Sequence, residues 1–169
     1  ITTEKIEYPP KLTQMLKEAL EDPDTFWSQI ANELNWFREW NKTLDWNYPN
    51  FTWFKGGTTN LSYNCTEHHI KKGRGNHPAI IYENGEGQPT RVLTYNQLLD
   101  EVKRLSAALK ALGVTRGDRV TIYMPMIPEA AIAMLATTRI GAIHSVVFAG
   151  FGYGALADRI SDAEPKPVS

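Results

Sequence analysis

The residues best suited to chemistry lie in a glycine-rich stretch near the end of the sequence, residues 150–155 (GFGYGA). The stretch has the G-x-G-x-x-A form of the dinucleotide-binding fingerprint, and it lies between a predicted strand and a predicted helix, as that motif requires. Glycine lets the backbone approach a ligand closely, and the N–H groups at a helix start favour anions. The pattern therefore indicates a nucleotide contact, with a tight strand-to-helix turn as the simpler alternative.

One cysteine and two histidines have the spacing of side chains that share a helix face. Cys65, His68 and His69 lie at i, i+3 and i+4 of a predicted helix, where neighbouring side chains meet. Zinc sites usually need four ligands, and His77 and His144 are isolated in the sequence. We therefore predict a helical surface group, no metal site and, with a single cysteine, no internal disulfide. No nucleophile motif organises the serines and histidines, so we predict no catalytic residue.

A different class of function is suggested by four Asn-x-Ser/Thr sequons, at Asn41, Asn50, Asn60 and Asn64, together with five tryptophans. These features allow a secreted glycoprotein that stacks sugars on aromatic rings. Residues 1–8 lack the apolar region of a signal peptide, which counts against secretion. Sequons are also short and arise often by chance.

The elements that carry these residues differ between the two halves of the chain. In the first half, helical spacing predicts helices over Lys11–Glu21 and Thr25–Leu34, the second with Trp27 buried. The aromatic stretch Asn35–Gly57 has no clear period, so we predict an irregular extended segment that covers a larger body. A further helix, capped by Asn60 or Ser62, is expected to run to Ile70.

The second half alternates strands and helices. Ala79–Tyr82 and Thr90–Leu93 predict a hairpin around turn residues 84–87, and Thr94 and Gln97 have capping-box spacing at the start of a helix that Gly113 ends. The later predicted elements are a strand over Arg119–Met124, a helix from Pro128 to Arg139, a strand over Ala142–Phe148, a helix over Ala155–Asp162, and a strand starting near Val168. The apolar strands lack alternation, which predicts burial on both faces and a parallel sheet with packed helices.

Composition fits a soluble globular protein: 42% of residues are hydrophobic and 22% are charged. The net charge of −1 gives no sign of nucleic-acid binding. No apolar run approaches the roughly 20 residues that span a bilayer. We therefore expect a cytoplasmic protein without a membrane partner.

Two segments resemble the AMP-forming acetyl-CoA synthetases, a branch of the adenylate-forming enzymes. They are Trp53–Ile70 (WFKGGTTNLSYNCTEHHI) and Arg91–Phe151, which ends in HSVVFAGF. The similarity continues through ALADRI (Ala155–Ile160) and PKPV (Pro165–Val168), and it covers about residues 20–169. The combination is specific to the short-chain acyl-CoA branch, although no single motif is.

This resemblance implies a ligase that joins acetate to ATP as an acyl-adenylate and then passes the acyl group to coenzyme A. A Phe-Gly-Gly-Phe-like loop in that family contacts the nucleotide end of CoA. It matches Phe148, Ala149, Gly150 and Phe151, with alanine at a position where many members have glycine. We therefore expect Phe148, Ala149 and Gly150 to be CoA-binding residues. ATP and Mg²⁺ are expected as cofactors bound outside these 169 residues.

The resemblance also implies a domain organisation. The expected fold class is α/β, with a helical, aromatic N-terminal extension over residues 1–77. Residues 78–169 are expected to form the first α/β segment of the large adenylate-forming domain, cut before its next strand. Such a fragment would lack the phosphate-binding loop, the acyl pocket and the catalytic lysine, so it would be inactive and inclined to self-association. The alternative is a Rossmann-like dinucleotide-binding domain of an oxidoreductase.

Overall fold

A computed structural model describes residues 8–85 and 91–165. Contacts divide the chain into two compact units, one ending at Thr59 and the other beginning at Asn60. Within the described ranges, every helix is too short or too polar to cross a bilayer. Two predicted features, part of the turn over residues 84–87 and the strand near Val168, fall outside the described residues.

The first unit begins with two short helices, α1 (Pro10–Glu21) and α2 (Pro23–Ala31). Both start with proline, which is preorganised for the first helical turn. The Asp22 side chain caps α2 by accepting a hydrogen bond from the Thr25 amide at 3.0 Å. The helix ends at Ala31 and not at Leu34, since the next amides form tighter turns: Leu34 donates to the Ala31 carbonyl at 3.1 Å, which also accepts from the Trp36 indole at 2.9 Å. Trp27, predicted to be buried, is 40% exposed.

The prediction of an irregular segment over Asn35–Gly57 is wrong. Strands β1 (Lys42–Asn47) and β2 (Asn50–Lys55) form an antiparallel hairpin there. Large side chains oppose each other across it, and the stacked rings of Trp46 and Phe51 have centroids 5.6 Å apart. Cross-strand aromatic pairs stabilise such ribbons, so the aromatic content indicated a hairpin rather than an irregular covering segment.

The second unit opens with a helical stretch that breaks in the middle. Asn60 caps α3 (Leu61–Cys65), as predicted, by accepting from the Tyr63 amide at 3.1 Å. The single helix predicted up to Ile70 is wrong, since Thr66 has φ −129° and ψ −84°. The short helix α4 (Glu67–His69) and a π-type turn (Ile70–Arg74) follow this break.

The predicted hairpin and long helix are confirmed. Strands β3 (Pro78–Tyr82) and β4 (Arg91–Thr94) pair antiparallel, and α5 (Tyr95–Ala111) follows directly. The Thr94 side chain accepts from the Gln97 amide and the Gln97 side chain accepts from the Thr94 amide, which makes a complete capping box. Gly113 has φ +84° just after the helix, a conformation that favours glycine.

A parallel strand pair completes the second unit and confirms the α/β class. Strand β5 (Arg119–Met124) leads through α6 (Pro128–Arg139) to β6 (Ile143–Phe148), and α7 (Tyr153–Ala163) follows. The strands run parallel in register from Arg119 opposite Ile143 to Met124 opposite Phe148. This strand–helix–strand order is the expected crossover unit.

The core of the second unit lies between α5, α6 and β4. Its buried members are Leu93, Leu98, Val102, Ile132 and Ala136. The prediction that β5 and β6 are buried on both faces is wrong for the described residues. Only Ile122 and Val147 of the two strands are buried, and Ile143 at the start of β6 is 54% exposed.

Candidate functional site

The glycine-rich stretch lies where β6 ends and α7 begins. Phe148 is the last residue of β6, opposite Met124 at the end of β5, and Gly152 is the N-cap residue of α7. The stretch therefore connects the carboxyl end of a parallel strand to a helix N-terminus, which is where open α/β sheets bind ligands. The helix starts at Tyr153 rather than at the predicted Ala155, so the connecting loop is residues 149–152.

Strand β5 holds this loop through one side chain. The hydroxyl group of Tyr123 lies 3.1 Å from the carbonyl oxygen of Ala149 and 2.8 Å from that of Phe151. The Phe151 amide also donates to the Phe148 carbonyl at 3.1 Å, which closes a tight turn. The loop is thus attached both to the end of its own strand and to the neighbouring strand.

Two phenylalanine rings form the exposed surface of the loop. The rings of Phe148 and Phe151 are nearly perpendicular, with centroids 6.4 Å apart, and their residues are 53% and 45% exposed. The Arg159 guanidinium of α7 lies 4.7 Å from the Phe151 centroid, within cation–π range. Accessible rings of this kind can stack on a planar ligand group.

Gly150 is the position in the loop where a side chain does not fit. A β-carbon at Gly150 would lie 2.5 Å from Cε1 of Phe148, so the ring occupies the space a side chain needs. Neither Gly150 nor Ala149 has a positive φ angle. The alanine is therefore accommodated in an ordinary backbone conformation, and a side chain at Gly150 would require the Phe148 ring to move.

The cysteine and histidines considered as metal ligands are divided by the break at Thr66. Cys65 ends α3, whereas His68 and His69 belong to α4. In the described parts of the chain, no three His, Cys, Asp or Glu side chains are grouped to hold a metal ion. The His69 ring lies tilted against Tyr95, with ring centroids 4.8 Å apart. Burial, followed by the charge of Arg74, lowers the pKa of His69.

Cys65 borders an apolar cavity of about 350 Å³. Burial raises the pKa of its thiol, so the group is protonated at neutral pH. The other lining residues come from α3, β3, α5, α6 and β6: Leu61, Ala79, Ile80, Tyr95, Leu98, Ala131, Met134, Leu135, Thr138 and His144.

A polar network fastens the α3–α4 stretch to the end of α6. Arg139 donates to both carboxylate oxygens of Glu67, at 2.7 and 3.0 Å, and the Thr66 hydroxyl donates to Glu67 at 2.8 Å. Burial raises the pKa of Glu67, but these hydrogen bonds outweigh it and the pKa lies below its usual value. The Asn60 amide donates to the carbonyl oxygens of Thr138 and Arg139.

The same stretch contains two of the four sequons. The hydroxyl-bearing residues of the Asn60 and Asn64 sequons, Ser62 and Thr66, are fully buried. The side chain of Asn60 is itself engaged at the end of α6. The hydroxyl-bearing residues of these two sequons are therefore packed inside the second unit.

Sequence reasoning located the loop but missed the side chains that hold it. Tyr123 and Arg159 lie 25 and 8 residues from Phe148 and Phe151 respectively, on different elements. The available signal for Tyr123 was its position near the end of β5, since the carboxyl ends of parallel strands meet at one edge of a sheet. Nothing in the local sequence identified the Glu67–Arg139 pair.

Comparison with known proteins gives consistent results for both units. The family described as "AMP-binding enzyme" matches residues 66–168, and the family described as "Acetyl-coenzyme A synthetase N-terminus" matches residues 12–65. These matches support the resemblance inferred from the sequence and give no support to the oxidoreductase alternative.

Individual relatives agree with the family matches. An acetyl-coenzyme A synthetase of Deinococcus radiodurans is 51% identical over 150 residues, which cover 89% of this chain and 23% of the relative. One from Streptomyces coelicolor is 54% identical over 153 residues, 90% of this chain and 23% of the relative. The solved structure of an acetoacetyl-CoA synthetase from Streptomyces lividans has a TM-score of 0.80 and 30% identity, over 88% of this chain and 23% of that one. The chain thus spans about a quarter of these proteins.

Proposed function

The chain belongs to the family of AMP-binding enzymes, and from that premise we propose that it is the N-terminal part of an acetate–CoA ligase. In this reaction the acetate carboxylate attacks the α-phosphate of ATP, acetyl-adenylate forms and diphosphate leaves. The thiol of CoA then attacks the acetyl carbonyl carbon, and AMP leaves. The main support is the acetyl-coenzyme A synthetase match over residues 12–65, directly ahead of the AMP-binding match.

We further propose that Phe148, Ala149 and Gly150 bind the nucleotide end of CoA. The loop has the chemistry for this role, because it combines two accessible rings with backbone amides at the start of α7. A planar base can stack on such rings, and backbone amides near a helix start suit phosphate oxygens.

ATP, Mg²⁺ and the catalytic groups are assigned in this proposal to other parts of a longer cytoplasmic protein, since the chain spans 23% of its relatives. The 169 residues alone are proposed to be inactive as a ligase. Residues 1–77 are proposed as the N-terminal extension, and residues 78–169 as the first segment of the large domain.

The test is to assay the full-length protein that contains these residues. We expect acetate-dependent exchange of labelled diphosphate into ATP, and acetyl-CoA formation when CoA is added. Propionate and acetoacetate serve as competing acids, and faster exchange with either one would replace acetate as the substrate. A protein that catalyses no exchange with any short-chain acid would refute the proposal, and NAD binding instead would favour the oxidoreductase.

Self-association of the isolated chain is proposed on the basis of exposed apolar side chains in the second unit. Met126 is 80% exposed, and Ile143, Val146 and Phe148 on β6 are half exposed. Exposed patches of this kind promote association. Light scattering should give a mass that rises with concentration, whereas a constant monomer mass would count against it.

A further inference from the structure

We propose that Tyr123 is a positioning residue for the nucleotide site: its hydroxyl group orients the backbone of the loop so that the amides of Gly150 and Gly152 face the ligand. This inference rests on the proposed CoA-binding function of the loop and assigns a role to a residue on a neighbouring strand.

Among the described residues, the Tyr123 hydroxyl forms its hydrogen bonds with the backbone of the loop. Its hydroxyl lies within hydrogen-bond distance of two carbonyl oxygens, those of Ala149 and Phe151, which flank Gly150. A phenol hydroxyl has one proton, so the two carbonyls share one donor and must converge on it. This convergence sets the direction of two peptide groups at once.

The direction of the carbonyls determines the direction of the following amides. In a trans peptide the C=O of one residue and the N–H of the next point in opposite directions. With the carbonyls of Ala149 and Phe151 turned to the Tyr123 hydroxyl, the amides of Gly150 and Gly152 point away from that hydroxyl. Neither amide donates to a backbone or side-chain acceptor in the described part of the chain. They are therefore available to an oxygen-bearing ligand.

The surroundings of the loop favour an anion at those amides. Gly152 is the N-cap residue of the 11-residue helix α7, which carries no side-chain cap. The partial positive charge at a helix N-terminus attracts phosphate groups. A phosphate of the CoA nucleotide would thus receive N–H donors from the loop while its base contacts the Phe148 and Phe151 rings.

Preorganisation gives the hydroxyl an energetic effect on binding. The loop is held by Tyr123 on one side and by the Arg159–Phe151 contact on the other. A loop already fixed in its bound conformation loses less entropy when the ligand binds. Without the hydroxyl, the carbonyls of Ala149 and Phe151 are free to turn to solvent, and the amides lose their common direction.

The test is Tyr123→Phe in the full-length protein, which removes only the hydroxyl group. We expect the KM for CoA to rise about tenfold, which corresponds to about 1.4 kcal/mol and is of the order of one hydrogen bond. The kcat and the acetate-dependent diphosphate exchange should stay within twofold, because adenylation precedes CoA binding. Replacing Tyr123 with p-aminophenylalanine, which restores an N–H donor, should return the KM towards that of the unmodified protein.

Tyr82→Phe is the matched control, since Tyr82 is a partly buried strand tyrosine of the same unit whose hydroxyl bonds no described residue. It should leave the KM for CoA unchanged. A Tyr123→Phe protein with an unaltered KM for CoA would overturn the inference. So would equal losses in exchange and thioester formation, or failure to fold, because each indicates a general structural role. Absence of exchange in the unmodified protein would instead refute the proposed function.

Discussion

The two units of the chain are built by different means. In the first unit, only Ala31 and Thr43 are buried among described residues 8–59, and ring–ring contacts join the hairpin to the segment before it. The second unit encloses an aliphatic core that includes Val102, which is fully buried. Buried area stabilises in proportion to the surface removed from water. The second unit can therefore hold a loop in one conformation, whereas the first depends on a few large contacts at its surface.

From this difference between the units we expect the largest loss of stability when the Glu67–Arg139 ion pair of the second unit is broken. Arg139→Met leaves the partly buried carboxylate of Glu67 without its two strongest hydrogen bonds. We expect the free energy of unfolding of the isolated chain to fall by about 1–3 kcal/mol, since a group that stays partly exposed recovers some hydration. Amide hydrogen exchange should accelerate after residue 60 and stay unchanged in the hairpin.

The matched control for this substitution is Arg104→Met. Arg104 pairs with Glu101 one helical turn away, but its side chain is 72% exposed, so its loss should matter little. The pKa of Glu67 lies below its usual value, so the pair stabilises at neutral pH and loses its effect as the pH falls through that lowered pKa. The difference between the variants should shrink as the pH falls below the ordinary glutamate pKa of 4.5 and through the lowered pKa of Glu67. Equal effects of the two substitutions would show that burial does not distinguish them.

The same contrast explains which elements the sequence could predict. In the second unit, the Thr94–Gln97 capping box and the glycine after α5 are short sequence patterns that mark the start and the end of a helix, so both ends of α5 could be predicted. The parallel pairing of β5 and β6 was predicted from their lack of alternation and is confirmed, although the burial on both faces that the same pattern predicted is not. The break at Thr66 could not be predicted, because its one hydroxyl proton is shared between the Ser62 carbonyl and the Glu67 carboxylate, and Glu67 is held by Arg139, 72 residues away.

In the first unit the hairpin was missed because its signal lies between strands. Trp46 and Phe51 form a pair only once β1 and β2 are in register, and neither strand alternates cleanly along its own sequence. The burial expected for Trp27 failed for a related reason. Its edge contacts with Phe26 and Trp53 leave much of the ring in solvent.

The candidate site was also predictable only in part. The loop follows from its glycines and from the strand and helix on either side, whereas residues 148–150 were named only through the resemblance to the acetyl-CoA synthetases. Tyr123 lies on another strand, and its hydrogen bonds depend on strand register and on the turn at Phe151. The assignment of CoA-binding residues stays a prediction.

We expect a smaller loss of stability when the aromatic cluster of the first unit is altered. The ring centroid of Trp40 lies 4.8 Å from that of Trp36 and 5.2 Å from that of Phe54. The Trp40 indole N–H donates to the Thr43 hydroxyl oxygen at 3.1 Å. Trp40→Phe keeps a ring but removes the donor from a buried hydroxyl, which should cost about 1 kcal/mol. Hydrogen exchange should accelerate in β1 and β2 only.

The control for that substitution is Trp46→Phe, at a residue that is 62% exposed and stacked on Phe51. It should have a smaller effect on the same amides. If Trp40→Phe also accelerated exchange in α5 and β5, the division of the chain at Thr59 would not describe its unfolding.

We expect the smallest change in stability when the ion pairs of the hairpin are removed. Asp45 pairs with Lys42 at 2.8 Å and Lys55 at 2.6 Å, and these hydrogen bonds lower the pKa of Asp45 to about 2. Both lysine side chains are exposed and Asp45 is partly exposed, so counter-ions screen the pairs at about 0.15 M salt. Asp45→Asn should therefore leave the unfolding midpoint at neutral pH within measurement error.

A pH titration by NMR checks the cause separately, because the Asp45 carboxyl should titrate near pH 2 rather than near its ordinary pKa of about 4. Any stabilisation from the pairs is present above that ordinary pKa and is lost as the pH falls through about 2. A lowered pKa without a change in midpoint at neutral pH would mean that the charges interact but do not determine the fold of the hairpin. Greater destabilisation by Asp45→Asn than by Trp40→Phe would reverse that order and make charge, rather than ring contact, the main support of the first unit.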